Sequence, residues 1–443
     1  MSTQNNNKKN TKTSHSRQTR AIMLERSKRP VPAPTEQEIE QLLNQLIEPA
    51  ILNLTQHYQS LGLRCRTLTL PVMVCFLISL IWRQLGSVSA AVRELNQYGQ
   101  LWQPALKVSQ QAVSERLREL PASLFESILR EVLSEVQKRS QARQRPLPKE
   151  LQKGLAEFKQ IVAVDASSLD ALIKKVGLLR ETEQTVLGGR MLAMLDLRSQ
   201  LPTQVWYEED SYCHEQNWWE QICESLPSGA LLLFDLGFVN YGRYAQLSSE
   251  GKYFISRVKS RMVHQVLQKL SWREGQREWL IQVKDAARQP LILRQVEIEY
   301  AGKWYSYVTN VLELERLSGT QIAELYRQRW RIEDAFKTVK RLLGLAYFYG
   351  SSQNAILLQL WTTWLMYSVL IDLSDEVAEE LELPLSRISV EMVYLGLGHI
   401  SRVRARGLEV SVVQYLATNA KLLGIVKRPR PRPKPDLTFP LIS

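Results

Sequence analysis

Between residues 36 and 140 apolar positions recur every three to four residues, as in EQEIEQLLNQLIEPAIL, SVSAAVRELNQYG and SQQAVSERLRELPASLFESILREVLSEVQ. That period is helical. Ser87 and Ser109 stand just before two of these runs and are read as N-caps. PVMVCFLISLIW (71–82) and AILLQLWTTWLMYSVLIDL (355–373) are apolar on nearly every side. The second is short for a membrane span and carries Gln359, Thr362 and Thr363, so both are read as buried core helices.

QARQRPLPKE (141–150) is a polar, proline-containing linker, and beyond it the period changes. IVAVD (161–165) is a short apolar run ending in an acid. RMLAMLDLR and QVWYEED are further strands, separated by the turn SQLP. NWWEQICESL reads as a helix. ALLLFD (230–235) is a second buried strand ending in an acid, followed by the helix FVNYGRYAQLSS and by the strand KYFISRVK (252–259). The next sixty residues or so alternate, with EWLIQV, LILRQVEIEY and KWYSYVTN between turn signals, and predict an antiparallel β insertion. SGTQIAELYRQRWRIEDAFKTVKRLLGL (318–345) predicts one long helix opened by Ser318 or Thr320. Strands in this order with interleaved helices predict a mixed α/β sheet.

The formal charge of +12 sits at the ends. Residues 1–30 carry a net +7 and residues 427–443 a net +4, which leaves about +1 for the body. KKNTKTSHSRQTR and KRPRPRPKP are too polar or too proline-rich to fold alone. Their physical use is attraction to a polyanion, weakened by salt. Arg93, Arg116 and Arg118 on the capped helices point to a helical DNA-binding region, although the connection between those helices is long for a helix-turn-helix. Cys65, Cys75, Cys213 and Cys223 form no CxxC pair, and Cys213–His214 near Cys223 lacks zinc-ligand spacing. They are read as reduced thiols of a cytosolic protein. The basic N-terminus has no apolar h-region, so no signal peptide is expected.

Asp165 and Asp235 each follow an apolar strand. Most acids in such places are turn formers. Asp196 and Asp170 compete with them, but neither ends a buried run so cleanly. If the two strands lie side by side, the carboxylates face each other, and a third from a packed helix would complete a cluster. Carboxylates that close raise one another's pKa unless a hard cation neutralises them. Oxygen-only ligation without His or Cys suits Mg²⁺ or Mn²⁺. Two such ions clamp the attacking and leaving oxygens of an in-line phosphoryl displacement.

YRQRWRIEDAFKTVK (326–340) divides into two faces at 3.6 residues per turn. Ile332, Ala335, Phe336 and Val339 need a core. Tyr326, Arg329, Glu333 and Lys340 fall on the opposite side, within roughly 60° of one another at ~100° per residue. Glu333 and Lys337 are also spaced for an i,i+4 pair. Alone, such a face is ordinarily solvated surface.

The spacing Tyr326-x₂-Arg329-x₃-Glu333-x₆-Lys340 resembles the YREK signature of DDE transposases of the insertion-sequence-four type. VDASSLD around Asp165 and LLLFDLGF around Asp235 look like that family's first two acidic motifs, in the same order. FISRVK and YVTN resemble the strands that bracket its β insertion, and SQQAVSERLRELP is similar to its N-terminal region. The likeness covers roughly 60–375; Ala166 is a minor departure, and neither basic tail has a counterpart.

The resemblance implies an RNase H-like core in which Asp165, Asp235 and Glu333 are catalytic and bind Mg²⁺ or Mn²⁺. It implies that Arg329 and Lys340 contact phosphates of the element's ends and that Tyr326 donates its hydroxyl to another. Trp330, at the edge of this face, stacks on a displaced base or merely packs. Trp272, Trp279 and Trp304 are candidates for holding a flipped base.

The expected organisation is a basic arm (1–35), a helical DNA-binding region with its linker (36–150), the core (151–260), a β insertion (261–317), the second part of the core with the signature helix (318–375), a helical region (376–426) and the Pro/Arg tail (427–443). The implied protein is a nucleoid-associated cytoplasmic transposase, outside the membrane, that binds terminal inverted repeats as a homodimer. It cleaves and joins DNA by a cut-and-paste route. A metal-dependent nuclease without strand transfer, a domesticated descendant that only binds DNA, and a helical scaffold are the alternatives.

Overall fold

The computed structural model describes residues 37–428 apart from 64–65, 170–187, 260–261, 286, 346–347, 351 and 408. The basic arm, nearly all of the Pro/Arg tail, Cys65 and Asp170 therefore lie outside the described residues.

Helices come first: α1 (Gln37–Asn53), α2 (Thr55–Ser60), α3 (Leu70–Trp82), α4 (Val88–Gln97), α5 (Gln110–Glu119), α6 (Ala122–Ala142) and α7 (Lys149–Glu157). Ser87 and Ser109 cap α4 and α5, accepting from Ala90 N–H and Ala112 N–H at 3.1 Å each. The expected DNA-facing role of Arg116 is not what the structure shows. Its guanidinium is buried, donating to Leu68 O at 2.9 Å and to the Tyr58 hydroxyl at 2.5 Å, and so ties α5 to the end of α2.

Among the described residues the sheet has nine strands: β1 (Gln160–Ser168), β2 (Arg190–Asp196), β3 (Pro202–Glu208), β4 (Ala230–Phe234), β5 (Tyr253–Arg257), β6 (Gln265–Arg273), β7 (Gln276–Lys284), β8 (Pro290–Tyr300) and β9 (Lys303–Thr309). Their order is β3-β2-β1-β4-β5-β9-β8-β7-β6. β1, β4 and β5 run parallel, and the remaining pairs are antiparallel. The first five strands make the RNase H-like mixed sheet expected from the sequence. The inserted strands extend that same sheet, because β9 pairs directly with β5. β6 went unread in the sequence: its face is largely exposed, so its alternation carries little apolar contrast.

Between the strands lie α8 (Trp219–Ser225) and α9 (Tyr241–Ser249); after them come α10 (Gly319–Gln328), α11 (Trp330–Lys337), α12 (Gln353–Glu380), α13 (Val390–Arg404) and α14 (Val412–Thr418). The two faces of the sheet feed different cores. Ile161, Ala163, Leu231 and Leu233 join the large core under α10 to α12, whereas Val162, Val164, Leu232 and Phe234 pack with Trp219, Phe238 and Tyr244. Period-two alternation accounts for this division.

α12 is the one described helix long and apolar enough to cross a membrane, and most of it is buried inside the protein. Its threonines and Gln359 are satisfied internally, whereas the buried Trp364 Nε1 has no hydrogen-bond partner among the described residues. Thr362 and Thr363 donate to Leu358 O and Gln359 O at 2.7 and 2.6 Å, and Gln359 accepts from Tyr349 N–H at 3.0 Å. Further along, Asp375 accepts from Ser140 and pairs with Arg143 and Arg145 beyond the end of α6.

The single helix expected over 318–345 is instead two. Ser318 opens α10 with a capping box, α10 stops at Gln328, and α11 begins at Trp330 with Arg329 between them. Thr338–Leu342 then closes as a π-turn. The charged face of this unit is largely covered: Tyr326, Arg329 and Lys340 are buried, and Glu333 alone of the four keeps a partly exposed side chain, at 39%. The unit lies across the sheet, so its charged side covers β1 while Phe336 meets Trp364 of α12 edge-on at 6.2 Å.

Candidate active site

β1 and β4 are parallel neighbours, as the reading of Asp165 and Asp235 required, with Ala163 and Leu233 their last paired residues. Asp235 follows the end of β4 and caps a short 3₁₀ turn, accepting from Leu236 N–H at 2.8 Å. Asp165 does not end its strand. β1 runs on to Ser168 because β2 keeps pairing with it, Asp165 opposite Ala193.

The third acid arrives on α11, and all three meet one guanidinium. Arg329 Nη1 lies 3.2 Å from Asp165 Oδ2, while Nη2 lies 3.1 Å from Glu333 Oε1 and 3.5 Å from Asp235 Oδ2. Residues separated by 70 and 98 positions thus converge on a group the size of a single side chain. The i,i+4 ion pair formed on the helix is Arg329–Glu333.

Burial pushes the Asp165 carboxyl up to about 6, against the downward pull of Arg329 and with Glu333 and Glu215 adding to the rise. Burial pulls Arg329 down, but Tyr326 and the three carboxylates more than reverse this and hold its charge. Tyr326 is pushed well above the usual phenol range, by burial and then by Asp235, to which its hydroxyl donates at 3.4 Å. Lys340 is turned onto the end of β1 by the π-turn. Its Nζ donates to Ser167 Oγ and to Ser168 O, the latter at 2.6 Å. Trp330 is the outward residue of the set, 59% exposed, with its ring 5.4 Å from Arg329 Cζ.

A second layer holds the turn after Asp235. The 3₁₀ turn Glu215–Trp218 leads into α8, and Gln216 Nε2 donates to Gly237 O at 2.7 Å while Trp219 Nε1 donates to Phe238 O at 3.1 Å. Glu215 pairs with Arg190 at the start of β2 and packs against Gly237. The sequence reading passed over Glu215 and Gln216. Cys213–His214 lacks zinc-ligand spacing and NWWEQICESL reads only as a helix, whereas the signal of this stretch is polar side chains set beside the buried Trp218 and Trp219.

Among the described residues no three His, Cys, Asp or Glu side chains are grouped closely enough to ligate one ion as they stand. The three carboxylates instead each face the guanidinium of Arg329. The donor set nevertheless fits a hard divalent cation: three carboxylates, no nitrogen or sulfur ligand, and a shared positive charge already demanded by their proximity.

On the β insertion, Arg277 Cζ stacks over the Trp304 and Trp272 rings at 4.1 and 4.7 Å, and Lys269 Nζ lies 4.2 Å from Trp272. Trp272 is 53% and Trp304 37% exposed, while Trp279 meets Trp272 edge-on.

Residues 156–369 match the family described as Transposase DDE domain. That stretch contains all the acids and the whole Tyr-Arg-Glu-Lys set. The chain is 28% identical over 156 residues to "Putative transposase y4zB" of Sinorhizobium fredii, covering 33% of this chain and 43% of that protein. It is 26% identical over 162 residues to "Putative transposase for insertion sequence element IS4SA" of Synechocystis, covering 35% and 45%. It is 33% identical over 88 residues to "Probable transposase for insertion sequence element IS5377" of Geobacillus stearothermophilus, covering 20% and 22%. The chain thus matches less than half the length of these curated relatives.

Proposed function

From the premise that residues 156–369 are a transposase DDE domain, we propose that this protein is an insertion-sequence transposase. It binds the inverted repeats at its element's ends as a dimer, cleaves the DNA there and joins the freed 3′ hydroxyls to target DNA. The observation that carries this reading is the convergence of Asp165, Asp235 and Glu333 on one cationic group.

Asp165, Asp235 and Glu333 would hold Mg²⁺ or Mn²⁺, which when bound supplies charge stabilisation at the reacting phosphate. Strand β1 and the turn after β4 fix the two aspartates, and α11 sets Glu333 opposite them. Tyr326 orients Asp235 through its hydroxyl. Arg329 offers a planar fork suited to a pair of phosphate oxygens, and Lys340 a point charge. Trp330 presents an exposed ring for a base lifted from the duplex. Burial of Arg329 shields Asp165 most, its side chain 20% exposed, while Glu333 and Asp235 stay open to solvent and ligand at 39% and 42%.

The test is nicking of DNA carrying the element's own ends by the purified chain with Mg²⁺. Asp165→Asn and Glu333→Gln should each lower the rate by ~10³-fold or more, by analogy with other single catalytic-group deletions. Equal rates in wild type and both variants would overturn the reading. Cleavage without joined products would reduce it to a nuclease.

A further inference from the structure

Arg329 occupies the centre of the acidic site, not its rim. Its side chain is 4% exposed and its two terminal nitrogens reach all three carboxylates. The third nitrogen, Nε, is buried and has no hydrogen-bond partner among the described residues. The guanidinium is therefore held by charge while one donor goes unused. A buried unpaired N–H is unfavourable, so a partner offering more acceptors elsewhere competes well for this group. Such a place lies close by: Trp330, the next residue, is exposed and its ring already flanks Arg329 Cζ. The residue also sits at the break between α10 and α11, outside the regular hydrogen-bonded run of either helix.

We infer that Arg329 is a built-in counter-cation of the acids, and that DNA phosphate and divalent metal enter the site as a coupled pair. Without DNA the guanidinium neutralises Asp165, Asp235 and Glu333, and a divalent ion meets its repulsion. A DNA phosphate arriving beside Trp330 offers two oxygens to the same fork and draws the guanidinium outward. The acids are left with excess negative charge, and their affinity for a divalent ion rises. Linkage makes the effect mutual: the factor by which DNA tightens the metal is the factor by which the metal tightens DNA. The free enzyme is thereby kept from metal-dependent cleavage until an end is bound. This rests on the assignment of the three acids as metal ligands.

The probes are Mn²⁺, with free ion followed by electron paramagnetic resonance, and a duplex carrying one terminal repeat. The full-length chain is used as wild type, Arg329→Gln and Asp165→Asn. Without DNA, Arg329→Gln should bind Mn²⁺ at least ~10-fold tighter than wild type, a factor within the usual range of coupling between sites. Adding duplex should tighten wild type by a similar factor and change Arg329→Gln no more than about twofold. Equal affinity of wild type with and without duplex overturns the inference, and this arm needs no variant to fold. Arg329→Gln with an intact circular-dichroism melt and no gain in Mn²⁺ affinity overturns it as well. If Asp165→Asn leaves Mn²⁺ binding unchanged, the ligand assignment fails first. If Asp165→Asn abolishes a binding that neither DNA nor Arg329 alters, only the counter-cation role fails.

Discussion

Asp165 and Asp235 stand at equivalent places on neighbouring parallel strands, each two residues beyond the last paired residues, Ala163 and Leu233. Two residues along an extended chain return to the same face. Ala163 and Leu233 belong to the core beneath α10 to α12, so both carboxylates rise on the side from which Arg329 and Glu333 descend. The two acids are held differently. β1 continues through Asp165 to pair with β2, whereas Asp235 depends on its turn and on the Gln216 and Trp219 contacts behind it.

Asp165 makes stability depend on pH in a stated direction. Its folded pKa, about 6, lies above the ordinary 3.8, with burial the largest cause. The folded state therefore holds this proton more tightly than the unfolded chain. The contribution is fully present below about pH 4 and is lost as pH rises through about 6, amounting to at most about 3 kcal/mol. In metal-free buffer, urea unfolding from pH 4 to 7.5 should show this decline superposed on the other carboxylates, and Asp165→Asn should remove it. An unchanged slope in the variant would refute the assignment.

Gly237 admits no side chain while Glu215 keeps its place. A Cβ there would lie 1.5 Å from Glu215 Oε2. Gly237→Ala therefore displaces the Glu215 carboxylate and leaves Arg190 with only its bond to Cys213 O, at a cost of about 1 kcal/mol because the group that moves is the end of a flexible side chain. Because Asp235 is two residues away, nicking should fall by more than the lost stability accounts for. Glu215→Ala in the Gly237→Ala background should recover stability, with a coupling of about 1 kcal/mol or more in a double-mutant cycle. Strict additivity would show that the two residues do not compete for this space.

How far the sequence spoke for this arrangement varied with the kind of information needed. Apolar runs located β1 and β4, and the serine caps located α4, α5 and α10, since burial and capping are local and periodic. The spacing from Tyr326 to Lys340 picked out side chains that the fold gathers beside Asp165 and Asp235 but assumed a continuous helix. The break at Arg329 and the π-turn at Thr338–Leu342 leave no trace in the hydrophobic period, and it is they that bury Arg329 and carry Lys340 onto β1. Arg116 was misread because a buried arginine bonded to a carbonyl and a phenol looks, in sequence, like any helical surface arginine. Glu215 escaped notice because its importance comes from tertiary contact with Gly237 and Arg190.

A buried ion pair inside the β insertion positions the arginine that ties the insertion to the segment leading into α10. Arg294 on β8 and Glu278 on β7 have side chains 0% and 2% exposed, and Arg294 Nε donates to Glu278 at 2.8 Å. Its Nη1 also donates to Leu317 O at 2.7 Å, immediately before the Ser318 cap of α10. Arg294→Ala should destabilise the protein by about 3–5 kcal/mol, since it strands a buried carboxylate. Arg294→Met with Glu278→Leu should lose much less. Hydrogen exchange in 318–325 should quicken in the single variant. Should the single variant unfold at the wild-type denaturant midpoint, the pair is not the fastening described.

Trp330 separates DNA contact from folding more cleanly than its neighbours do. Tyr326, Arg329 and Lys340 have internal partners, so their removal disturbs the protein as well as any ligand. Trp330 is 59% exposed, and Trp330→Ala should shift stability by no more than about 0.5 kcal/mol. Loss of one base stack should weaken binding to end DNA with an unpaired terminal base by about 1–3 kcal/mol, seen by fluorescence anisotropy, while Trp330→Phe retains most of the affinity. Trp272 and Trp304 compete for the same role, and their rings are already faced by Arg277 and Lys269. An aromatic surface flanked by two cations suits a stacked base beside its own phosphate. If Trp272→Ala weakens binding and Trp330→Ala does not, the lifted base lies against the insertion, and the ring beside Arg329 serves only to flank the guanidinium.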